Sequence, residues 1–363
     1  MTDDAASGRS RFARSRGRLL GGVLAAAVVV AVFVFFLPRI ADYRDVWDVL
    51  RELSWNDSIL LAGATLLNIA TFPPPWMAAL PGLRYRQALV MTQASTALSI
   101  VAPAGAAVGM AASYTMLRSW GFAPAPVGLA VAVTGMWNQF SNLAFPIVAL
   151  ALLTAAGEDH PLLRTTALVG VAALVVVLVA FGLALSAPQR ARRVGDLAAR
   201  YATWAMRLLR KRPVSWGGES FARFRSHALG LLERRWHVIT VATLVGHLTV
   251  FVLLAACLWA VGVSSSEISW VEAFAAWSLV RILGAIPLTP AGVGIVEIGL
   301  TGALVAFGAP NAEAVAATLL YRALTVFPTL GLGLLAAATW RTHHPGERLE
   351  PAPNEGSSIP RSG

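Results

Sequence analysis

Long apolar runs separated by short polar segments dominate the chain. Six of them, at residues 19–37, 58–80, 126–153, 162–185, 238–261 and 312–338, predict membrane-crossing helices, because a hydrocarbon core of roughly 30 Å takes about 20 residues at helical rise. Two further runs, at 88–117 and 270–308, do not read as single helices. The first is interrupted by Val101-Ala102-Pro103-Ala104-Gly105 and the second by Ile286-Pro287-Leu288-Thr289-Pro290-Ala291-Gly292-Val293-Gly294. Pro290 has no N–H to give and disfavours helical geometry at Thr289, and Gly292 and Gly294 permit backbone angles that other residues resist. Each run therefore predicts two short helices with a break, at Pro103 and Gly105 in one and at Pro290, Gly292 and Gly294 in the other. Broken backbone at membrane depth is tolerated only where it is buried in protein or lines a wet cavity. Within 58–80, Phe72-Pro73-Pro74-Pro75-Trp76 predicts a kink or a helix end.

The two broken runs match each other. Pro103-Ala104-Gly105 aligns with Pro290-Ala291-Gly292 at an offset of 187 residues, and at that offset Gly121 meets Gly308 and Phe140 meets Phe327. Charge then tests the topology. If 88–117 crossed once, Arg118 and the loop 187–237, with twelve basic residues between Arg190 and Arg235, would lie outside, against the positive-inside rule. A segment that enters and leaves on the cytoplasmic side places both inside. The expected fold is an all-α polytopic membrane protein with about six full spans plus two re-entrant broken hairpins in an inverted repeat, both termini cytoplasmic. Reading the second run as two ordinary short spans leaves the net topology unchanged. Inverted repeats with discontinuous helices meeting at mid-depth are the architecture of many secondary transporters.

Composition agrees: 56% hydrophobic, 13% charged, mean hydropathy +0.64. The formal charge is +10, and of 29 basic residues only Lys211 is lysine, a skew of the kind a GC-rich genome produces. Basic loops in such a chain point to anionic lipid at the inner leaflet, not to nucleic acid. The expected segments are a disordered basic cytoplasmic tail at 1–18, a membrane part at 19–186, a basic loop at 187–237, a membrane part at 238–338 and a disordered cytoplasmic tail at 339–363. In the loop, Val194, Leu197, Tyr201, Ala205 and Leu208 repeat near helical spacing, with Arg193, Arg200 and Arg207 elsewhere on the wheel. That pattern suits amphipathic helices on anionic inner-leaflet lipid, or else a solvated loop that only sets topology. The single Cys257 can form no intramolecular disulfide.

Ionisable groups inside a bilayer are costly and count as functional candidates. Arg281 lies nine residues before Pro290, Glu297 seven after it, and Arg322 about ten into the last run. All three are expected near mid-depth, with Arg281 and Glu297 close enough to pair. Two arginines and one carboxylate make a net positive site suited to a phosphate or other acidic headgroup; the alternative is a structural salt-bridge network pinning the hairpin. Asn138 and Asn142 share a helix face and either line the same cavity or bond helix to helix. Gln93 and Ser95 are weaker candidates of that kind, and His247 reads as a proton relay or as a hydrogen-bonded packing residue. No nucleotide-binding glycine motif, nucleophile elbow or Cys/His metal spacing occurs, so no cofactor or metal is expected.

At Pro287-x-x-Pro290-Ala291-Gly292-x-Gly294-x-x-Glu297, followed by Gly308 and Tyr321-Arg322, the sequence resembles the lysylphosphatidylglycerol synthase transmembrane-domain family, also called flippase-like domain proteins. Ala291 stands where the family usually has glycine. The resemblance covers most of 19–338. It implies a multi-pass bacterial plasma-membrane protein, and in the best-understood relatives such a domain moves an aminoacylated phospholipid between leaflets. Arg281, Glu297 and Arg322 match positions where family members commonly hold charge. The relatives' soluble synthase domain follows their membrane part; only about 25 polar residues follow the last run here, so a transporter-like protein without synthase activity is expected. The expected function is a flippase for an anionic phospholipid or a prenyl-phosphate-linked lipid, with a membrane-embedded subunit or scaffold of an envelope-biosynthetic enzyme as the alternative.

Overall fold

A computed structural model describes residues 43–102, 105–157, 161–208, 217–284 and 292–340. The run at 19–37, the segment 1–18, residues 341–363 and the break residues Pro103 and Pro290 lie outside the described residues. Every regular element among the described residues is helical: α1 (Tyr43–Arg51), α2 (Trp55–Thr71), α3 (Pro73–Ala79), α4 (Tyr85–Val101), α5 (Gly105–Ser119), α6 (Pro124–Ala155), α7 (Pro161–Ser186), α8 (Pro188–Leu208), α9 (Gly218–Ala260), α10 (Trp270–Gly284), α11 (Ile295–Ala306) and α12 (Asn311–Thr339). Three are long and apolar enough to cross a membrane, namely α6, α9 over Phe224–Ala260 and α12 over Asn311–Ala336. A fourth is reached if α7 and α8, bent by 112° at their junction, count as one broken span.

Local chemistry sets the boundaries. Ser54 caps α2 by accepting from the Asp57 N–H, and the Asp57 carboxylate accepts from the Ser54 N–H in return. The proline run divides the 58–80 stretch as its composition predicts: α2 stops at Thr71 and α3 begins at Pro73. The loop 187–237 is only partly separate from the membrane helices, because α9 runs unbroken from Gly218 through the polar residues into the apolar run.

The 187-residue offset reappears in the helix ends. After α5, the Phe122 N–H bonds the Leu117 carbonyl and the Gly121 N–H bonds Arg118, with Gly121 at φ +90°. After α11, Ala309 bonds Leu304 and Gly308 bonds Val305, with Gly308 at φ +113°. Both are glycine-terminated helix caps of one kind, which also ends α9 at Gly262, with φ +84° and the Val263 N–H on the Leu258 carbonyl. At Gly308 a side chain is excluded by space as well, since a Cβ there would lie 2.7 Å from the Glu267 carbonyl oxygen.

The two broken pairs are held differently from ordinary helices. α4 packs on α5 and α10 packs on α11, while α12 lies against α4 and α6 lies against α10. α12 also touches α11, and α6 also touches α5, so each long helix contacts both pairs. The α4–α5 seam is a small-residue contact: a Cβ on Gly109 would fall 2.0 Å from Ser99 Oγ and 2.8 Å from the Ser95 carbonyl oxygen. A Cβ on Gly333 would meet Ala97 Cβ at 2.2 Å, so α12 also approaches α4 closely. In lipid, where apolar burial gives no net drive between helices, such close backbone packing supplies the association.

Two apolar cores result. One gathers Phe145, Leu153, Leu254, Trp277, Leu300 and Leu304; the other gathers Leu80, Met91, Leu117, Trp120, Val133 and Ile239. Between them runs a polar layer. On α6, Asn138 and Asn142 fall between Val133 and Phe145; on α9, His247 falls between Ile239 and Val250; on α12, Arg322 falls between Tyr321 and Ala336.

Candidate functional site

The polar layer meets α9 midway along its apolar part. Exposed Trp236 and Trp259 bracket the apolar part of α9, about 35 Å apart at helical rise, close to the spacing of aromatic belts at two membrane faces. Between them Val238, Val241, Val245, Leu248 and Val252 form an exposed stripe, the pattern of a lipid-facing surface. His247 is buried and lies halfway between the two tryptophans.

Arg281, near the end of α10, reaches across to two other helices. Its Nε and Nη2 donate to Asn142 Oδ1 at 3.0 and 2.6 Å, and Nη2 also meets His247 Nδ1 at 2.7 Å. His247 Nε2 lies 3.0 Å from Asn138 Oδ1. Arginine has only donors, so His247 accepts at Nδ1 and carries its proton on Nε2, which donates to Asn138. The guanidinium carbon stands 4.7 Å from the Trp277 ring centroid and 5.6 Å from that of Phe145, within cation–π reach. No carboxylate pairs with Arg281 among the described residues, and its Nη1 makes no hydrogen bond to any of them. Among the described residues the cation is thus oriented by neutral partners, with Nη1 left over.

Glu297 is engaged elsewhere. Its Oε1 accepts from Arg322 Nε at 2.7 Å and its Oε2 from the Gly294 N–H at 2.6 Å, with the two side chains only 4% and 15% exposed. The carboxylate therefore closes the first turn of α11 and ties it to α12. Gly292 and Gly294 have φ of +66° and +90°, so the positive-φ backbone expected of these two break residues is present. Gly105 has no such φ, and close packing explains it instead: a Cβ there would lie 1.9 Å from the Ser99 carbonyl oxygen.

The layer differs from the sequence expectation in its pairing. Arg281 and Glu297 are not bonded to each other; each takes a partner from another helix. Asn138 and Asn142 act between helices, tying α6 to α9 and α10. Ser95 Oγ donates back to the Thr92 carbonyl, whereas Gln93 Oε1 and Thr243 Oγ1 are buried with no partner among the described residues. His247, which the sequence alone reads more readily as a hydrogen-bonded packing residue than as a relay, bonds both Arg281 and Asn138. Its placement halfway between Trp236 and Trp259 is the signal in the sequence that points to it.

Comparison with known proteins gives one family. The profile described as the lysylphosphatidylglycerol synthase TM region matches residues 23–333, most of the chain. No curated protein matches it.

Proposed function

This chain belongs to the lysylphosphatidylglycerol synthase TM region family, a membrane family with a lipid-related, flippase-like role, and we propose that it moves a lipid with an anionic headgroup between the leaflets of a bacterial plasma membrane. The matched region is the flippase-like membrane part and not a catalytic domain. The observation that carries the reading is Arg281: a guanidinium among membrane helices, held by Asn142 and His247, with no carboxylate on it and no hydrogen bond at Nη1 among the described residues. Such a fork suits a phosphate oxygen, whether in a phospholipid or a prenyl phosphate. The Arg322–Glu297 pair holds the second hairpin beside it. The match of Pro103-Ala104-Gly105 with Pro290-Ala291-Gly292 at 187 residues and the contacts of both long helices with both broken pairs support an inverted repeat with the headgroup path between its halves. The acyl or prenyl chains stay in lipid.

The experiment is lipid movement in proteoliposomes, with fluorescent phospholipids and prenyl phosphates tested in parallel. Movement of anionic lipids in preference to a neutral diacylglycerol analogue is expected. Equal movement of both, or of neither, from folded protein removes the reading and leaves the scaffold or enzyme-subunit alternative.

The basic segment carries a second part of this reading. α8 packs its Gly195 against Phe221 of α9 and shows Leu197, Tyr201 and Trp204 on its exposed side, with exposed Arg193 and Arg200 alongside. An apolar stripe flanked by arginines is the arrangement of a helix seated on anionic lipid. Trp204 should be quenched by lipids brominated near the headgroup: the quenchable fluorescence should fall in Trp204→Phe relative to wild type. An unchanged quenching difference would place α8 in solution.

A further inference from the structure

We propose that His247 takes up a proton when an anionic headgroup engages Arg281, so that this protein carries a proton together with its lipid. The inference rests on the reading of Arg281 as the headgroup site and adds a second cargo to it. The geometry makes two states mutually exclusive. With no anion present, Arg281 Nη2 donates to His247 Nδ1 across 2.7 Å. A proton on Nδ1 would set a donor against a donor at that distance, so the bond and the imidazolium cannot coexist. An anion at Nη1 changes the balance, because it draws the guanidinium toward itself and offers a counter-charge to both cations. The Nη2–H···Nδ1 hydrogen bond breaks, a solvent proton forms the new N–H bond on Nδ1, and Nε2–H stays on Asn138 Oδ1.

The surroundings make the proton depend on the anion. The rings of Phe72 and Phe145 stand nearly perpendicular to the imidazole, with centroids 6.2 and 5.9 Å from its own, so a lone imidazolium would lie among apolar rings, where burial of an uncompensated charge is costly. The helices packed on α9 offer no substitute counter-ion. Neither α6 nor α3 contains a titratable side chain. α2 has only Asp57, in its first turn. α10 contributes Arg281 itself and Glu272, which is bonded to Ser269 in the first turn. On α12, Arg322 is paired with Glu297, Glu313 lies in the first turn, and Tyr321 is buried in the neighbouring core. α8 and α7 contribute the charges of the cytoplasmic side and Arg164 near the start of α7. On α9 itself Glu233, Arg234, Arg235 and His237 stand well down the helix toward its N-terminus, and Cys257 lies toward the other end. The charge that favours imidazolium must therefore arrive with the ligand, which is what coupling requires. By linkage, protons then favour the anion as much as the anion favours the proton.

The test is calorimetric titration of the purified full-length protein with dihexanoyl phosphatidylglycerol in two buffers of different ionisation enthalpy, which counts protons taken up per lipid bound. Wild type should take up a proton fraction approaching about one, and its affinity should rise as pH falls from 8 to 6, by at most about tenfold per pH unit for one linked proton. His247→Gln, with its fold checked by size exclusion, should bind more weakly, since His247 helps to hold Arg281, and the binding that remains should proceed with no uptake and a flat pH profile. Lipid binding by wild type without proton uptake, or equal uptake in His247→Gln, would overturn the coupling while leaving the Arg281 site intact. No binding by folded wild type at any pH would remove the Arg281 reading itself. The wild-type pH series needs no variant and decides the matter if His247→Gln does not fold.

Discussion

Arg281→Ala is expected to reduce movement of an anionic lipid in proteoliposomes by about thirtyfold or more. Losing one partner of a desolvated, hydrogen-bonded charge contact costs about 2–5 kcal/mol, and each 1.4 kcal/mol is a factor of about ten. Two separate losses contribute. The headgroup loses its guanidinium, and Asn142 Oδ1 and His247 Nδ1 lose the donors that now satisfy them, at about 1–3 kcal/mol for each buried group left unpaired. Arg281→Lys separates the two. Lysine keeps the charge but is a point donor on a flexible stem, and it cannot span Asn142, His247 and an anion at once. It should therefore fold like wild type and move lipid at an intermediate rate. Wild-type rates in both variants, measured on protein that elutes as a single species, would dismiss Arg281 as the headgroup site.

The second large effect is on stability. Glu297→Ala removes a buried carboxylate from Arg322 and from the Gly294 N–H together. Breaking a buried ion pair on one side costs about 3–5 kcal/mol, because the other charge is left without its counter-charge. The thermal midpoint in detergent should fall clearly for Glu297→Ala and for Arg322→Met. In Glu297→Gln/Arg322→Met it should recover most of the way, since both charges are gone and glutamine still offers an oxygen to Gly294. Simple addition of the two single losses in the double variant would mean that the pair is not what holds α11 to α12. Lipid movement in the double variant sorts structure from transport: near-normal rates confine the pair to holding the hairpin, and a loss at normal stability gives it a direct part in the path.

Much of this architecture is legible in the chain. The proline run at 73–75 ends α2 whatever surrounds it, because three successive residues lack the N–H that the preceding carbonyls need. Gly292 and Gly294 announce a positive-φ turn, and Gly121 and Gly308 announce two matching caps, since only glycine reaches those angles without strain. The polar residues of the middle layer are likewise visible as exceptions in apolar runs. Their partners are not. Nearness to the same break suggests that Glu297 meets Arg281, yet Glu297 lies in the first turn of α11 at a spacing that aims its carboxylate back at the Gly294 N–H, and α12 packed alongside brings Arg322 to the remaining oxygen.

What the sequence determined by itself was therefore what depends on near neighbours: apolar helices, where the proline run ends one of them, and which glycines cap them. Tertiary structure alone decided who meets whom. Arg281 finds Asn142 at a separation of 139 residues and His247 at 34, while His247 finds Asn138 at 109. Such bonds follow from which helices cross and at what height, and in a membrane that is set by small-residue seams such as Gly109 on Ser99 and Gly333 on Ala97. No periodicity along one chain encodes that height, so the partners of Arg281 became visible only once α6, α9 and α10 were in place.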